Sequence, residues 1–372
     1  MPLPLAMKPG RHVTALLFLA PNLLGFAIFT FVPVVLSFAG SFTNWSLRPA
    51  VPVQFIGWEN YLRLFQDKYF WFYLYNTGYL MLALPFSIGG ALLLAVLLHD
   101  GFTFKSARRG PRLALASLLV SILSAGALSL AGSFNLACVI LALGVIAAVG
   151  LAFGVVTYRT VFYLPHFTAG AATILLWTQL YNPNFGLINQ GIEGVAAFLG
   201  FHVDGPGWLT STKSLAGFLP LPTHFNNGGF GLGAREAIMA MGVWTALGGN
   251  NLILFLAGLS AISPELYEAA EIDGANRWQR FRHVTLPQLA PTTFFIVVIS
   301  IIGGLQGGFE QARLMTQGGP AGTTTTLSYY IYLQGFERLD LGYGSAVAWV
   351  LFLLVFGITL LQWRHGARDG AD

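Results

Sequence analysis

The apolar runs of this chain limit its fold more than any other feature. Residues 113–156 stay apolar for more than twice the roughly 20 residues that one membrane-crossing helix needs, with one break at Gly132-Ser133-Phe134-Asn135. Lipid offers the backbone no hydrogen-bond partner, so such a run is helical, and this one reads as a hairpin of two spans. Its Gly, Ala and Ser content lets the two arms approach closely. Of the 372 residues, 55% are hydrophobic and 9% charged, which excludes an ordinary soluble domain.

Further spans are predicted at about 13–38, 77–98, 162–181, 237–261, 291–309 and 344–363, with Pro21 and Pro33 bending the first. With both chain ends inside, Lys8, Arg11, Lys105, Arg108, Arg109, Arg112, Arg159, Arg277, Arg280, Arg282, Arg364 and Arg368 fall on the inner side. That is 12 of the 19 Lys and Arg, as the positive-inside rule requires. The expectation is an all-α fold: a polytopic transmembrane helical bundle of about eight spans with cytoplasmic N and C termini. The net charge of +4 suits loops beside anionic membrane lipid, and nucleic acid is not an expected partner. Cys138 is the single cysteine, which leaves no internal disulfide or cysteine-based metal cluster, and the seven histidines show no ligand spacing. The N-terminal apolar stretch lacks a small-residue cleavage site and continues past Phe31, so it reads as a retained span.

One stretch breaks the apolar pattern. Residues 263–287, SPELYEAAEIDGANRWQRFRHVTLP, hold Glu265, Glu268, Glu271, Asp273, Arg277, Arg280 and Arg282. At the bilayer centre each charge would cost roughly 2.5 to 3.5 kcal/mol, so the stretch must lie in water or against protein. It reads as two short helices joined at Gly274. Ser263 stands at a cap position, Pro264 suits the first helical position, and Leu286-Pro287 ends the run. At about 100° per residue, Leu266 and Ala270 share a packing side while Glu268 and Glu271 face an aqueous partner.

This stretch resembles the EAA motif of permease subunits in binding-protein-dependent ABC importers: Glu268-Ala269-Ala270, then Gly274, then Val284-Thr285-Leu286-Pro287. Asp273-Gly274-Ala275 looks like the carbohydrate-uptake branch. The resemblance extends to FIGWENYLRLF at 55–65, Phe162-Tyr163-Leu164-Pro165, the Asn182-Pro183-Asn184-Phe185-Gly186-Leu187 outer loop, and LMTQGGPAGTTTTLSYYIY at 314–332. It implies a six-span permease core, to which the hairpin is an addition of unassigned role with peripheral packing the plainer reading. The implied organisation is 1–98 for the first two spans and their periplasmic connector, 99–158 for a basic cytoplasmic loop and the hairpin, and 159–372 for the core carrying the coupling loop. It further implies that 263–287 couples the spans to an ATPase through Glu268, Ala269, Ala270, Asp273, Gly274, Leu286 and Pro287. The implied partners are a second permease subunit, two copies of a cytoplasmic ABC ATPase and an extracytoplasmic sugar-binding protein, all at a bacterial or archaeal cytoplasmic (inner) membrane.

No phosphate-binding G-x-x-x-x-G-K-[ST] loop surrounds any of the four lysines, so ATP would be used by the partner ATPase and this chain would bind no cofactor and no metal. No catalytic constellation stands out; a transporter subunit is expected, not an enzyme. Asn44-Trp45-Ser46 and Leu305-Gln306-Gly307-Gly308 read as chance matches, and the glycine-rich 226–233 as a flexible loop. Sugars present hydroxyls and apolar faces, so amides and aromatics on inner helix surfaces are the expected lining: Trp244, Asn250, Asn251, Gln306, Phe309 and Glu310, with helix-to-helix bonding an equal reading of the amides. Two alternatives remain at this stage. One is a permease for glycerol-phosphate or another polar solute; the other is an ATP-independent secondary transporter, which would need intramembrane coupling carboxylates and a two-half repeat that the sequence does not display.

Overall fold

The computed structural model describes residues 9–49, 52–99, 110–130, 134–153, 155–167, 170–218 and 228–369. Lys8, Lys105, Arg108, Arg109, Gly132, Ser133, Asn226 and Asn227 lie outside the described residues. The chain divides into two compact units, Met1–Phe70 with Tyr330–Leu354, and Trp71–Tyr329 with Val355–Asp372. Helices dominate both. Among the described residues β pairing is confined to isolated bridges, Thr43 with Phe55, Ser46 with Asp340 and Ser214 with Phe230.

Among the described residues, six helices are long and apolar enough to cross a membrane: Leu16–Ser41, Lys68–His99, Arg112–Leu130, Ala234–Ser260, Ala290–Thr316 and Leu341–Arg364. The hairpin's second arm and the span expected at 162–181 correspond to shorter apolar helices, Ala137–Ala152 and Gly170–Leu180. The second long helix starts at Lys68, nine residues before the expected 77, because the aromatic run that follows Lys68 contains no helix breaker. Of the two prolines expected to bend the first span, Pro21 lies within the α-helix Pro9–Phe26, while Pro33 follows a π turn at Ala27–Phe31. Pro33 lacks the N–H that would close an ordinary turn onto residue 29, and the wider turn absorbs that loss.

In the first unit the short helix Glu59–Gln66 presents Asn60 and Leu64 inward. The Asn60 amide donates to the carbonyls of Ser41 and Thr43, both at 2.9 Å, which satisfies backbone acceptors left open at the end of the first span. Asp67 closes the helix and accepts hydrogen bonds from the hydroxyls of Tyr343, at 2.7 Å, and Tyr330. Burial and the Asp67 carboxylate push the Tyr330 hydroxyl above its ordinary range. Arg63 pairs with Asp340 at 2.8 Å and lies 4.2 Å over the Tyr343 ring.

In the second unit the hairpin arms Gly110–Leu130 and Phe134–Phe153 pack on each other. They approach so closely that a Cβ on Gly144 would lie 2.1 Å from that of Ser121. A buried cluster joins Ala91, Ala95 and Leu98 to Leu252, Phe255, Leu259, Ile262, Leu289 and Ile296. Lipid is as apolar as leucine, so cohesion here rests on close contact between small alanines and bulky partners.

The stretch 314–329 is not the open polar loop its threonines suggest. Thr323, Thr324, Thr325 and Thr326 are all buried. Their hydroxyls are spent within the loop, on Pro320, Thr316, Gly318, Gly319 and the Tyr329 amide. Asn76 donates to the carbonyls of Gly322 and Thr325, and Arg235, 1% exposed, donates to Asn76 and to the Thr323 carbonyl. Three aromatic rings, Phe72, Tyr75 and Tyr79, lie within 5.9 Å of the guanidinium. The expected flexible loop at 226–233 also differs where it is described. Its residues 228–231 lie against 212–214, held by hydrogen bonds from Ser214 to the Gly229 carbonyl and from Gly231 to the Ser214 carbonyl.

Candidate functional site

The charged stretch folds as an elbow of two short helices. The first, Pro264–Ile272, begins with Ser263 extended and proline at its first turn, but the Ser263 hydroxyl makes no capping bond. Proline alone starts this helix, since its missing N–H is one that a first turn leaves unpaired anyway. The helix closes through the amides of Asp273, Gly274 and Ala275, which donate to Ala269, Glu271 and Ala270. Gly274 sits at φ +76°, and a Cβ there would meet nothing within 4 Å, so handedness rather than space demands glycine. The second helix, Arg277–Arg280, opens with a reciprocal cap. The Gln279 amide donates to the Asn276 side chain at 2.9 Å, and the Asn276 amide to that of Gln279 at 2.8 Å.

Three contacts fix the angle between the arms. Arg280 pairs with Glu271, Tyr267 and Thr285 hydroxyls meet at 3.0 Å, and Tyr267 packs on the buried cluster. The inward face therefore runs through Tyr267 and Ala270. Leu266, expected to share that side, is exposed, because the core reaches the elbow along Ile262 and Thr285 and meets the helix one position later. Both ends are rooted in one core: Ile262 immediately precedes the elbow, and Leu289, fully buried, follows two residues after Pro287.

Outward, the elbow offers Glu265, Glu268, Asp273 and Arg277, with Ala269, Leu286 and Pro287 also exposed. It also presents Ile272 at 86% exposure and Trp278 at 66%, the latter tilted against Phe281 with ring centroids 5.6 Å apart. Glu268 and Glu271 line a cleft of about 410 Å³ whose other wall holds His99. Nothing in this arrangement resembles a catalytic centre. Apolar side chains ringed by charge form the kind of surface that a protein partner covers.

The proposed solute-lining residues do not converge. Asn251 lines a half-open cavity of about 310 Å³ together with Thr77, Ser87, Ser300, Gln311 and Thr326. Its neighbour Asn250, one position earlier and thus about 100° around the helix, is exposed elsewhere. Trp244 stands against Trp177 with ring centroids 5.5 Å apart. Gln306 is exposed, and its carbonyl accepts from Ser328 at 2.6 Å. Phe309 packs edge-on against Tyr329, and Glu310 is exposed with a carboxylate oxygen beside Gly170.

Residues 111–365 match the family model described as the binding-protein-dependent transport system inner membrane component. The chain belongs to that family. This permease is 27% identical over 358 residues to a probable ABC transporter permease of Pyrococcus horikoshii, covering 95% of the chain and 96% of the relative. It is also 27% identical over 369 residues to the probable ABC transporter permease YesP of Bacillus subtilis, covering 96% of the chain and 94% of the relative. The UgpA permease of a Yersinia enterocolitica sn-glycerol-3-phosphate transport system is 35% identical over 211 residues, 57% of this chain and 62% of that one. Its fold resembles a chain in the crystal structure of a bacterial ABC transporter that imports the acidic polysaccharide alginate, with TM-score 0.67 and 22% identity over 96% of both chains. The same transporter in complex with alginate pentasaccharide-bound periplasmic protein gives TM-score 0.66, 22% identity, and coverage of 95% of this chain and 93% of that one. The permease is thus a subunit of a binding-protein-dependent ABC importer, and the ATP-independent reading is set aside.

Sequence reasoning missed several residues of the permease's site. Periodicity alone gives no sign that Ile272 and Trp278 are exposed, although both stand in the most charged stretch of the chain. Gly303 and Gly304 lie in the last turn of Ala290–Gln306, Gly307 and Gly308 follow its end, and all four line the cavity. The two glycine pairs were a readable signal.

Proposed function

We propose that this permease forms part of the path for a sugar of the disaccharide or oligosaccharide class and takes up mechanical work through residues 263–287. The observation that carries the reading is the elbow itself. It exposes Ile272 and Trp278 among charges, while Ile262 and Leu289 tie its two ends into one buried core. A companion ATPase covering that surface would move Ala91, Leu252 and Ile296 with it, because close-packed interiors transmit displacement.

The assembly we infer has a second permease subunit, two copies of a cytoplasmic ABC ATPase that use the ATP, and an extracytoplasmic sugar-binding protein. Glu268, exposed on the first arm, would meet a basic group of the ATPase, with Ala269 and Asp273 lying along the contact, Ala270 supporting it from the packed side and Gly274 setting the arm angle. Leu286 and Pro287 would return the chain to the membrane. Relatives named for sn-glycerol-3-phosphate support a second reading, a permease for that solute class. The test is uptake by the assembled importer in proteoliposomes carrying Glu268→Lys or Gly274→Asp. Import should fall at least about tenfold, the equivalent of roughly 1.4 kcal/mol, while the binding protein keeps its affinity for solute. Normal uptake by both variants overturns the coupling role.

A further inference from the structure

The two transport readings differ in the charge of their cargo, and the cavity at Asn251 bears on that difference. It is a half-open space bordered by the helices Lys68–Leu80, Leu84–His99, Ala234–Leu247, Asn250–Ser260 and Ala290–Gln306. Its volume of about 310 Å³ lies at the lower end of what small-molecule sites occupy, roughly 300–1,000 Å³. Polar groups between membrane helices are costly unless they meet one another or a ligand. The hydroxyls of Thr77 and Ser87 are already bonded to helix carbonyls, and that of Thr326 accepts from the Tyr329 amide. The side-chain amides of Asn251 and Gln311 make no hydrogen bond among the described residues, and both line the cavity.

Among the described residues none of those lining the cavity is charged. Two arginines stand on helices that border it, and both are engaged elsewhere. Arg235 is sealed by Asn76, the Thr323 carbonyl and three aromatic rings, and Arg313 is exposed with its guanidinium 5.8 Å from the Phe309 ring. The C-terminal end of Ala290–Gln306 brings the negative pole of a helix to this space and the start of Asn250–Ser260, at Asn251, a positive one, so the opposed poles leave no net positive field in place of the missing cation. An anion entering would shed its water with no cation to receive it. An uncharged polyol would find two amides, each able to donate and accept, and apolar walls at Met81 and Met241 for its carbon face.

Resting on the transport reading above, we propose that this cavity is the permease's share of a solute path that admits uncharged polyhydroxylated solutes and rejects anionic ones such as phosphate esters and uronates. Gly303 provides a probe position, since a Cβ there meets nothing within 4 Å. The experiment places Gly303→Cys in a Cys138→Ala background in the assembled importer, in the ATP-free and ATP-bound states. The cysteine is treated with an uncharged methyl, a cationic trimethylammonium and an anionic sulfonate methanethiosulfonate reagent, each rate normalised to that of free cysteine. The uncharged and cationic reagents should modify the site in at least one state, and the sulfonate at least about tenfold more slowly, a handicap of roughly 1.4 kcal/mol. Equal rates for the sulfonate, or no reaction with any reagent in either state, overturn the proposal. Failure of the coupling role is read separately, from uptake by the Glu268 and Gly274 variants, and leaves the reagent ratio unchanged.

Discussion

Two of the polar stretches that separate the apolar runs of this permease resolve in opposite ways. The stretch 314–329 turns its polarity inward. Its threonines are buried and bonded to its own backbone, and Asn76 and Arg235 close it from behind. The elbow at 263–287 does the reverse. Its internal bonds, Arg280 to Glu271 and Tyr267 to Thr285, serve only to fix its angle, and it leaves Ile272, Trp278 and Glu268 facing out. A polar loop whose hydrogen bonds are consumed internally is part of the scaffold. One that is rigid yet keeps its outer surface unspent is prepared for a partner.

The sharpest way to break this comparison is Arg235→Leu. Two buried acceptors, on Asn76 and Thr323, would lose their donor, and each unsatisfied group costs about 1–3 kcal/mol, so a loss of about 3 kcal/mol in stability is expected. Thermal unfolding of the detergent-solubilised importer checks it; an unchanged midpoint would mean that the stretch 314–329 is not scaffold. Ile272→Asp should act the other way round. Stability should stay within about 0.5 kcal/mol, as for most exposed sites, while capture of the companion ATPase in pull-down weakens about tenfold or more. The smallest effect is expected of Tyr267→Phe, which removes one hydrogen bond to Thr285, worth about 1 kcal/mol. If elbow rigidity matters, this variant should retain ATPase capture yet import less solute per ATP hydrolysed.

The elbow was legible because charge is expensive in lipid, so seven ionised side chains in one stretch could lie only outside the hydrocarbon. Gly274 was legible as a turn, and its left-handed backbone is the physical reason. The packing face was misplaced from Tyr267 to Leu266 because helical periodicity gives relative angles, while the absolute rotation depends on where Ile262 and Thr285 bring the core. The same ambiguity separates Asn251, which lines the cavity, from Asn250, which does not. Burial of the threonines could not be read locally, since it depends on Asn76 and Arg235, distant in sequence. Span positions followed from hydropathy, but lengths did not. Hydropathy does not register that Lys68–Leu80, with its many aromatic residues, continues one helix outward.

The joint rooting of the elbow has a consequence for how torque would spread. Ile262 follows the end of Asn250–Ser260 and Leu289 precedes the start of Ala290–Gln306, yet both join the same cluster, where Ala91 and Ala95 offer little more than backbone. A hinge has one pivot and lets one limb swing; this joint has two, set side by side on a smooth bearing. Twisting it would drive two helices together past a third, so that a small rotation outside the membrane becomes a sliding movement within it.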